Sequence, residues 1–350
     1  MFSRRSFLNI TALFSASTLL PNIAYPEKQP SLVNSKILPK RLRKGDTIGL
    51  IAPGYAIQNE TLKEAKSILK AMGFIPFHTD SIVGNFGYFS NTDAERAKDL
   101  NEMFANPKID AILCARGGYG CTRIMQMIDY ENIRANPKLL IGFSDITVLL
   151  NGIYQKTGLV TFHGPVGSTL ENPYTLKQLK KVVMNSKSDL LIENVDMEAI
   201  EDKKNPEYER YTITSGSASG ILIGGSLTLI NALIGTPHEI DFTDKIVCLE
   251  DVEEAPYRID RMLTQLIEGP TFKNAAGIVF GVCAGCNSSS NPKSFTLKEV
   301  LLDRIAPLGI PAAYGMSFGH VPENFTFPIG TKASWDADVM NLELQEKWVQ

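Results

Sequence analysis

Apolar positions along the first half of the chain alternate between two rhythms. Short continuous apolar runs at 47–52, 74–78, 111–115 and 139–141 have the length and composition of buried strands. Between them, apolar residues recur every three or four positions, as on one helix face. Leu62, Ala65, Ile68 and Leu69 do so within 59–72, and Gly73 ends that segment. Asn91-Thr92-Asp93 starts a polar helix that runs to Phe104, and another helix is expected up to about Met127. After Gly142 the apolar positions Ile146, Val148, Leu149 and Leu150 carry a helix on to Lys156. Strands that alternate with helices predict an α/β fold, a parallel sheet with helices on both faces. Sites in such sheets form at the carboxyl ends of the strands. Three loops lie there: Pro53-Gly54, Arg116-Gly117-Gly118-Tyr119-Gly120, and Gly142 to Asp145.

The second half begins with a polar, irregular stretch, about 172–210, that reads as a connector. Gly220 to Gly225 then leads into a helix over 226–233. A strand at 246–249 runs straight into Glu250-Asp251-Val252-Glu253-Glu254. Helix 256–268 presents Ile259, Met262, Leu263 and Leu266 on one face. Strands follow at 276–282 and 311–314, the latter leading to Gly319-His320.

A length of 350 residues suggests two domains, and 44% hydrophobic with 21% charged residues is an ordinary globular balance. The net charge of −3 gives no basic stripe for nucleic acid. Only the N-terminus departs from this plain picture. Ser3-Arg4-Arg5-Ser6-Phe7-Leu8 before a short apolar run reads as a twin-arginine export signal over 1–24. The run is too short for a durable membrane span, although an uncleaved signal would leave a tether. The expected organisation is a linker over 25–43, an N-terminal α/β domain over 44–170, a connector over 171–210 and a C-terminal domain over 211–345. The expected location is periplasmic, with a cytoplasmic protein as the alternative.

Several residues carry candidate chemistry. Ser144, at a strand–turn–helix junction, either projects its hydroxyl from the sheet end as a nucleophile or simply caps the helix. The glycines of 116–120 let backbone N–H groups approach an anion, or form a plain tight turn; they match neither the phosphate loop nor the dinucleotide fingerprint. Of the four histidines, His163 and His320 lie beside glycines at strand ends and are the credible bases. Glu250, directly after an apolar strand, could orient an imidazole, whereas acidic runs are more often solvated loops. Cys283-Ala-Gly-Cys286 has no second pair to complete a zinc site, so neither metal nor organic cofactor is expected.

Taken in order, five stretches carry a resemblance. They are Ala115 to Gly120, Ile141-Gly-Phe-Ser-Asp145, Gly224-Gly-Ser-Leu227, Leu249-Glu-Asp-Val252 with Tyr257 to Leu263, and Gly319-His320. Over about residues 44–340 the chain resembles the L,D-carboxypeptidases of serine peptidase family S66, which include murein tetrapeptide carboxypeptidases and microcin C self-immunity peptidases. Ser226 departs from the pattern, which more often has asparagine there. The resemblance implies a flavodoxin-like N-terminal domain, a smaller β-rich C-terminal domain and an active site between them. It implies a Ser144–Glu250–His320 triad, and leaves His163 a structural or substrate-side role. Backbone N–H groups of Asp145 and Gly118 would meet the oxyanion, and Arg116, Gly117 and Tyr119 would contact substrate. The implied substrate is a murein peptide that loses its terminal D-alanine. A peptidyl-nucleotide or other small amide is the rival within the family, and an exported, non-catalytic solute-binding protein the rival outside it. Family members are often homodimers, a state that the residues themselves do not specify.

Overall fold

The computed structural model describes residues 35–185, 187–201, 204–287, 291 and 293–350; the expected export signal lies outside them. The strands are β1 (Thr47–Ile51), β2 (Ile75–His78), β3 (Ala111–Cys114), β4 (Leu139–Gly142), β5 (Thr161–His163), β6 (Leu190–Ile192) and β7 (Tyr211–Thr214). The later ones are β8 (Ser217–Ser226), β9 (Lys245–Glu250), β10 (Gly277–Val282), β11 (Ala312–Gly319), β12 (Phe327–Ile329), β13 (Lys332–Asp336) and β14 (Asn341–Leu344). The helices are α1 (Asn59–Ala71), α2 (Asp93–Ala105), α3 (Cys121–Ile124), α4 (Tyr130–Ala135), α5 (Thr147–Thr157), α6 (Pro173–Val183), α7 (Leu227–Leu233), α8 (Pro256–Glu268) and α9 (Leu297–Ile305).

Two sheets organise these elements. The first has the order β12-β5-β4-β3-β1-β2. Strands β1 to β5 are parallel, and their spatial order 2-1-3-4-5 is the flavodoxin-like one. β3 and β4 are buried at every position, as strands covered by helices on both faces must be. The second sheet has eight strands in the order β6-β14-β13-β8-β9-β10-β11-β7. Its centre, β8 to β11, is parallel; β13, β14 and β6 extend one edge antiparallel, and β7 the other.

The stretch read as a connector holds regular structure. Asn172 accepts the N–H groups of Tyr174 and Thr175 and so caps α6, with Pro173 fitting the first turn where no N–H is needed. Leu179, Val182 and Val183 of α6 are buried, and β6 joins the edge of the second sheet. β11 also runs further than the apolar run at 311–314 suggested. It pairs with β10 through bulged positions as far as Gly319, which is partnered by Val282. That extension puts residue 320 at the carboxyl end of the second sheet.

The two sheets are joined through α5. Asn151 Nδ2 donates to the Gly224 carbonyl at 2.9 Å, and its Oδ1 accepts the Gly224 N–H at 3.1 Å. Thr147 Oγ1 accepts the Ser226 N–H at 3.1 Å. The helix behind Ser144 is therefore bonded to β8, and β12, from the C-terminal part of the chain, closes one edge of the first sheet.

Candidate active site

β4 ends at Gly142, and Ser144 opens a 3-10 turn, Ser144–Ile146, that leads into α5. Ser144 adopts φ +63°, a left-handed conformation that costs a non-glycine residue about 1–3 kcal/mol. Its hydroxyl does not cap the helix. Instead Ser144 Oγ lies 2.9 Å from His320 Nε2, and His320 Nδ1 lies 2.7 Å from Glu250 Oε2. Glu250 is the last residue of β9 and is fully buried; the His320 side chain keeps 21% of its surface exposed. A carboxylate on Nδ1 fixes the proton there, which leaves Nε2 as the acceptor that faces the serine hydroxyl.

The electrostatics follow from this burial. Burial pushes the His320 imidazole down, but the Glu250 carboxylate, joined by Asp251 and Glu253, raises it and the net shift is upward. Burial likewise pushes Glu250 up, and His320 beside it more than reverses this, so its carboxyl lies below the ordinary value. Two of the neighbouring acids are engaged elsewhere. Asp251 accepts both the N–H and the hydroxyl of Thr228 at 2.8 Å, and burial together with Glu250 pushes it up to about 6. Glu254 pairs with Arg258. Of the acidic run, Glu250 alone bonds the imidazole.

The Gly-rich loop crosses directly above Ser144. A methyl group at Gly117 would lie 2.8 Å from Ser144 Cβ and 3.0 Å from Oγ, so only glycine fits there. Two buried side chains hold this loop. Asp145 Oδ2 accepts the Cys121 N–H at 2.8 Å, and burial raises the Asp145 carboxyl. Arg96, fully buried on α2, donates to the carbonyls of Pro53 and Gly120 and pairs with Asp93. Nothing in the polar pattern of α2 marks Arg96 as an inward residue. Gly117→Ala is expected to keep the thermal transition within a few degrees of the parent while lowering kcat/KM about 100-fold, the cost of a displacement near 1 Å. Steady-state kinetics beside a melting curve check it; parental kinetics would mean the loop can yield.

The remaining candidates fall in distinct places. Arg116 is exposed, with its guanidinium 5.6 Å from the Tyr55 ring centre, and Tyr119 is exposed beside it. Gly118 lies against the Tyr55 ring. His163 is fully buried, stacked on Phe327 at 4.6 Å and edge-on to Phe318 and Phe143. Burial depresses its pKa to about 4, and neither of its ring nitrogens has a hydrogen-bond partner among the described residues. His78 bonds Lys66 Nζ, well outside this cluster. Cys283 and Cys286 are buried free thiols. Ser226, at the family-atypical position, caps α7 through Leu229 N–H and pairs in register with Glu250.

A hydroxyl, an imidazole and a buried carboxylate in this order suit acyl transfer. The LD-carboxypeptidase N-terminal domain model of peptidase family S66 matches residues 48–164, and its C-terminal domain model matches 219–334. A probable murein peptide carboxypeptidase of Bacillus subtilis is 39% identical over 296 residues, covering 85% of this chain and 90% of that protein. The chain belongs to the LD-carboxypeptidase family. The murein tetrapeptide carboxypeptidase of Pseudomonas aeruginosa is 30% identical, with 82% of this chain and 92% of that one covered. Among solved structures, MccF in complex with glutamyl sulfamoyl guanosine superposes with a TM-score of 0.80 at 26% identity, covering 89% of this chain and 99% of the other. Membership makes the protein a carboxypeptidase of the hydrolase class, and the MccF structure shares its overall fold.

Proposed function

We propose that the protein is a serine L,D-carboxypeptidase that releases the terminal D-alanine of murein tetrapeptides, with Ser144 as nucleophile. His320 Nε2 takes the hydroxyl proton as Ser144 Oγ attacks the scissile carbonyl. Glu250 keeps the Nδ1–H tautomer and balances the imidazolium that forms. Backbone N–H groups of Asp145 and Gly118 meet the oxyanion. Gly117 O accepts the Tyr55 N–H at 2.9 Å, so the trans peptide turns the Gly118 N–H away from Tyr55. The tetrahedral intermediate collapses, His320 returns the proton to the departing amine, and a water that His320 activates then releases the acyl group.

The observation that carries this reading is the unbroken Ser144–His320–Glu250 contact chain at the carboxyl ends of β4, β11 and β9. The substrate assignment draws on relatives named for murein peptides. Incubation with purified disaccharide-tetrapeptide should yield disaccharide-tripeptide and free D-alanine; an unchanged substrate would overturn it. The likeness to MccF bound to glutamyl sulfamoyl guanosine supports a second reading, a peptidase that cleaves an aminoacyl- or peptidyl-nucleotide. Cleavage of a glutamyl sulfamoyl nucleoside with the tetrapeptide left intact would favour that one.

Murein outside the inner membrane goes with export by the Arg4-Arg5 signal. Arg4→Lys with Arg5→Lys should hold the protein in the cytoplasm, whereas the parent fractionates outside the inner membrane. Identical cytoplasmic fractionation of both would refute export and leave recycled murein peptides as the substrate.

A further inference from the structure

Three loops that are remote in sequence bring an aromatic ledge to the mouth of the site. Its inner end is Tyr55, which lies against Gly118, while Gly117 beside it borders Ser144. From Tyr55 the ledge continues to Tyr88 at 5.4 Å and from Tyr88 to Tyr119 at 5.9 Å, between ring centres. Tyr88 is 54% exposed and Tyr119 43% exposed, although each touches another ring.

The ledge is preformed. Phe86 and Phe89 exchange backbone hydrogen bonds of 2.9 and 3.1 Å around a two-residue turn, with Gly87 at φ +64° in its first central position. That is the glycine site of a type II′ turn. The Ala56 N–H donates to the Tyr88 carbonyl at 3.0 Å, and buried Phe89 is packed under the Arg96 guanidinium at 4.1 Å. A ligand that lands on these rings meets little ordering cost.

Chemistry and reach select the occupant. Phenol rings offer a flat apolar face with a hydroxyl at the edge, which matches a pyranose that has a C–H face and a rim of hydroxyl groups. In a murein tetrapeptide three residues separate the scissile bond from the sugar, and three extended residues span about 10 Å. The three rings, 5.4 and 5.9 Å apart in succession through Tyr88, adjoin the loop that borders Ser144 and so lie within that reach. The Arg116 guanidinium, 5.6 Å from the Tyr55 ring centre, suits the peptide carboxylates between. We propose that Tyr55, Tyr88 and Tyr119 form a carbohydrate subsite, so that the protein prefers murein peptides still attached to their sugars over free tetrapeptide. This rests on the murein reading above.

The test compares kcat/KM for disaccharide-tetrapeptide with kcat/KM for free tetrapeptide, in the parent, in Tyr88→Ala and in Tyr88→Phe. The parent should favour the disaccharide form. Tyr88→Ala should lower that ratio about 3- to 10-fold, the range of one stacked ring, and Tyr88→Phe should restore most of it. Because Tyr88 is exposed and the readout is a ratio, partial unfolding cannot imitate the effect. Calorimetric titration with the peptide-free disaccharide gives a second readout that needs no hydrolysis. Binding that Tyr88→Ala weakens supports the subsite even if neither peptide is cleaved, in which case the carboxypeptidase reading alone fails. Turnover of both substrates with a ratio near one in all three proteins, or no disaccharide binding at millimolar concentration, overturns the subsite alone. Tyr88-dependent inhibition by adenosine monophosphate without any sugar effect also overturns it, by making the ledge a nucleobase platform.

Discussion

Ser144→Ala should abolish release of D-alanine from disaccharide-tetrapeptide, with kcat lowered on the order of 10⁴-fold or more. The substitution removes the hydroxyl in contact with His320 Nε2. It should leave the fold intact, because Ser144 Oγ bonds the imidazole and caps no helix end. The strain at φ +63° also persists with alanine, so the melting temperature should move little. Rate and melting curve together separate loss of chemistry from loss of structure. Near-parental turnover by folded Ser144→Ala protein would remove Ser144 from the nucleophile role.

The second large effect is expected at His320 and Glu250, the proposed base and its carboxylate. His320→Ala should be about as damaging as Ser144→Ala, because members of a triad act as a unit rather than additively. Glu250→Gln should lower kcat about 10⁴-fold, since an amide cannot balance the imidazolium. The pH profile distinguishes these roles. A base must be neutral, so activity appears as pH rises through the His320 pKa. Burial lowers that pKa, and Glu250 with Asp251 and Glu253 more than compensates, so the acidic limb of kcat/KM should sit above 6.5, the ordinary histidine value. Removing the Glu250 charge takes away the raising influence, so residual activity in Glu250→Gln should have its acidic limb at lower pH. A limb that stays put would mean that another group sets it. His163→Ala, which opens a void among Phe143, Phe318 and Phe327, should instead reduce stability more than it shifts the limb.

The positions of these residues were unequally legible in the chain. Ser144 was readable because a buried run, a glycine and an apolar helix are all local to it. Glu250 was readable because it follows a strand without a break. His320 and His163 could not be separated from local signals. The distinction depends on β11 running to Gly319, through bulges that no alternation of residues announces. The first sheet was legible because β3 and β4 are continuous apolar runs. Much of the second was not, for physical reasons. β8 carries Gly220, Gly224 and Gly225, which do not look like strand; β13 and β14 alternate exposed and buried positions over only five and four residues. α6 hid inside a polar stretch although Asn172-Pro173 is a capped helix start. The ledge at Tyr55, Tyr88 and Tyr119 had no local signature, because three separated loops assemble it.

The most direct test of Ser144 as an activated nucleophile is intact-mass measurement after incubation with a serine-directed phosphonate, followed by peptide mapping. A single adduct is predicted on the peptide that contains Ser144, formed rapidly by the parent and far more slowly by His320→Ala. An unlabelled Ser144 in a protein that nonetheless releases D-alanine, or an adduct confined to another serine, would contradict covalent catalysis at this site.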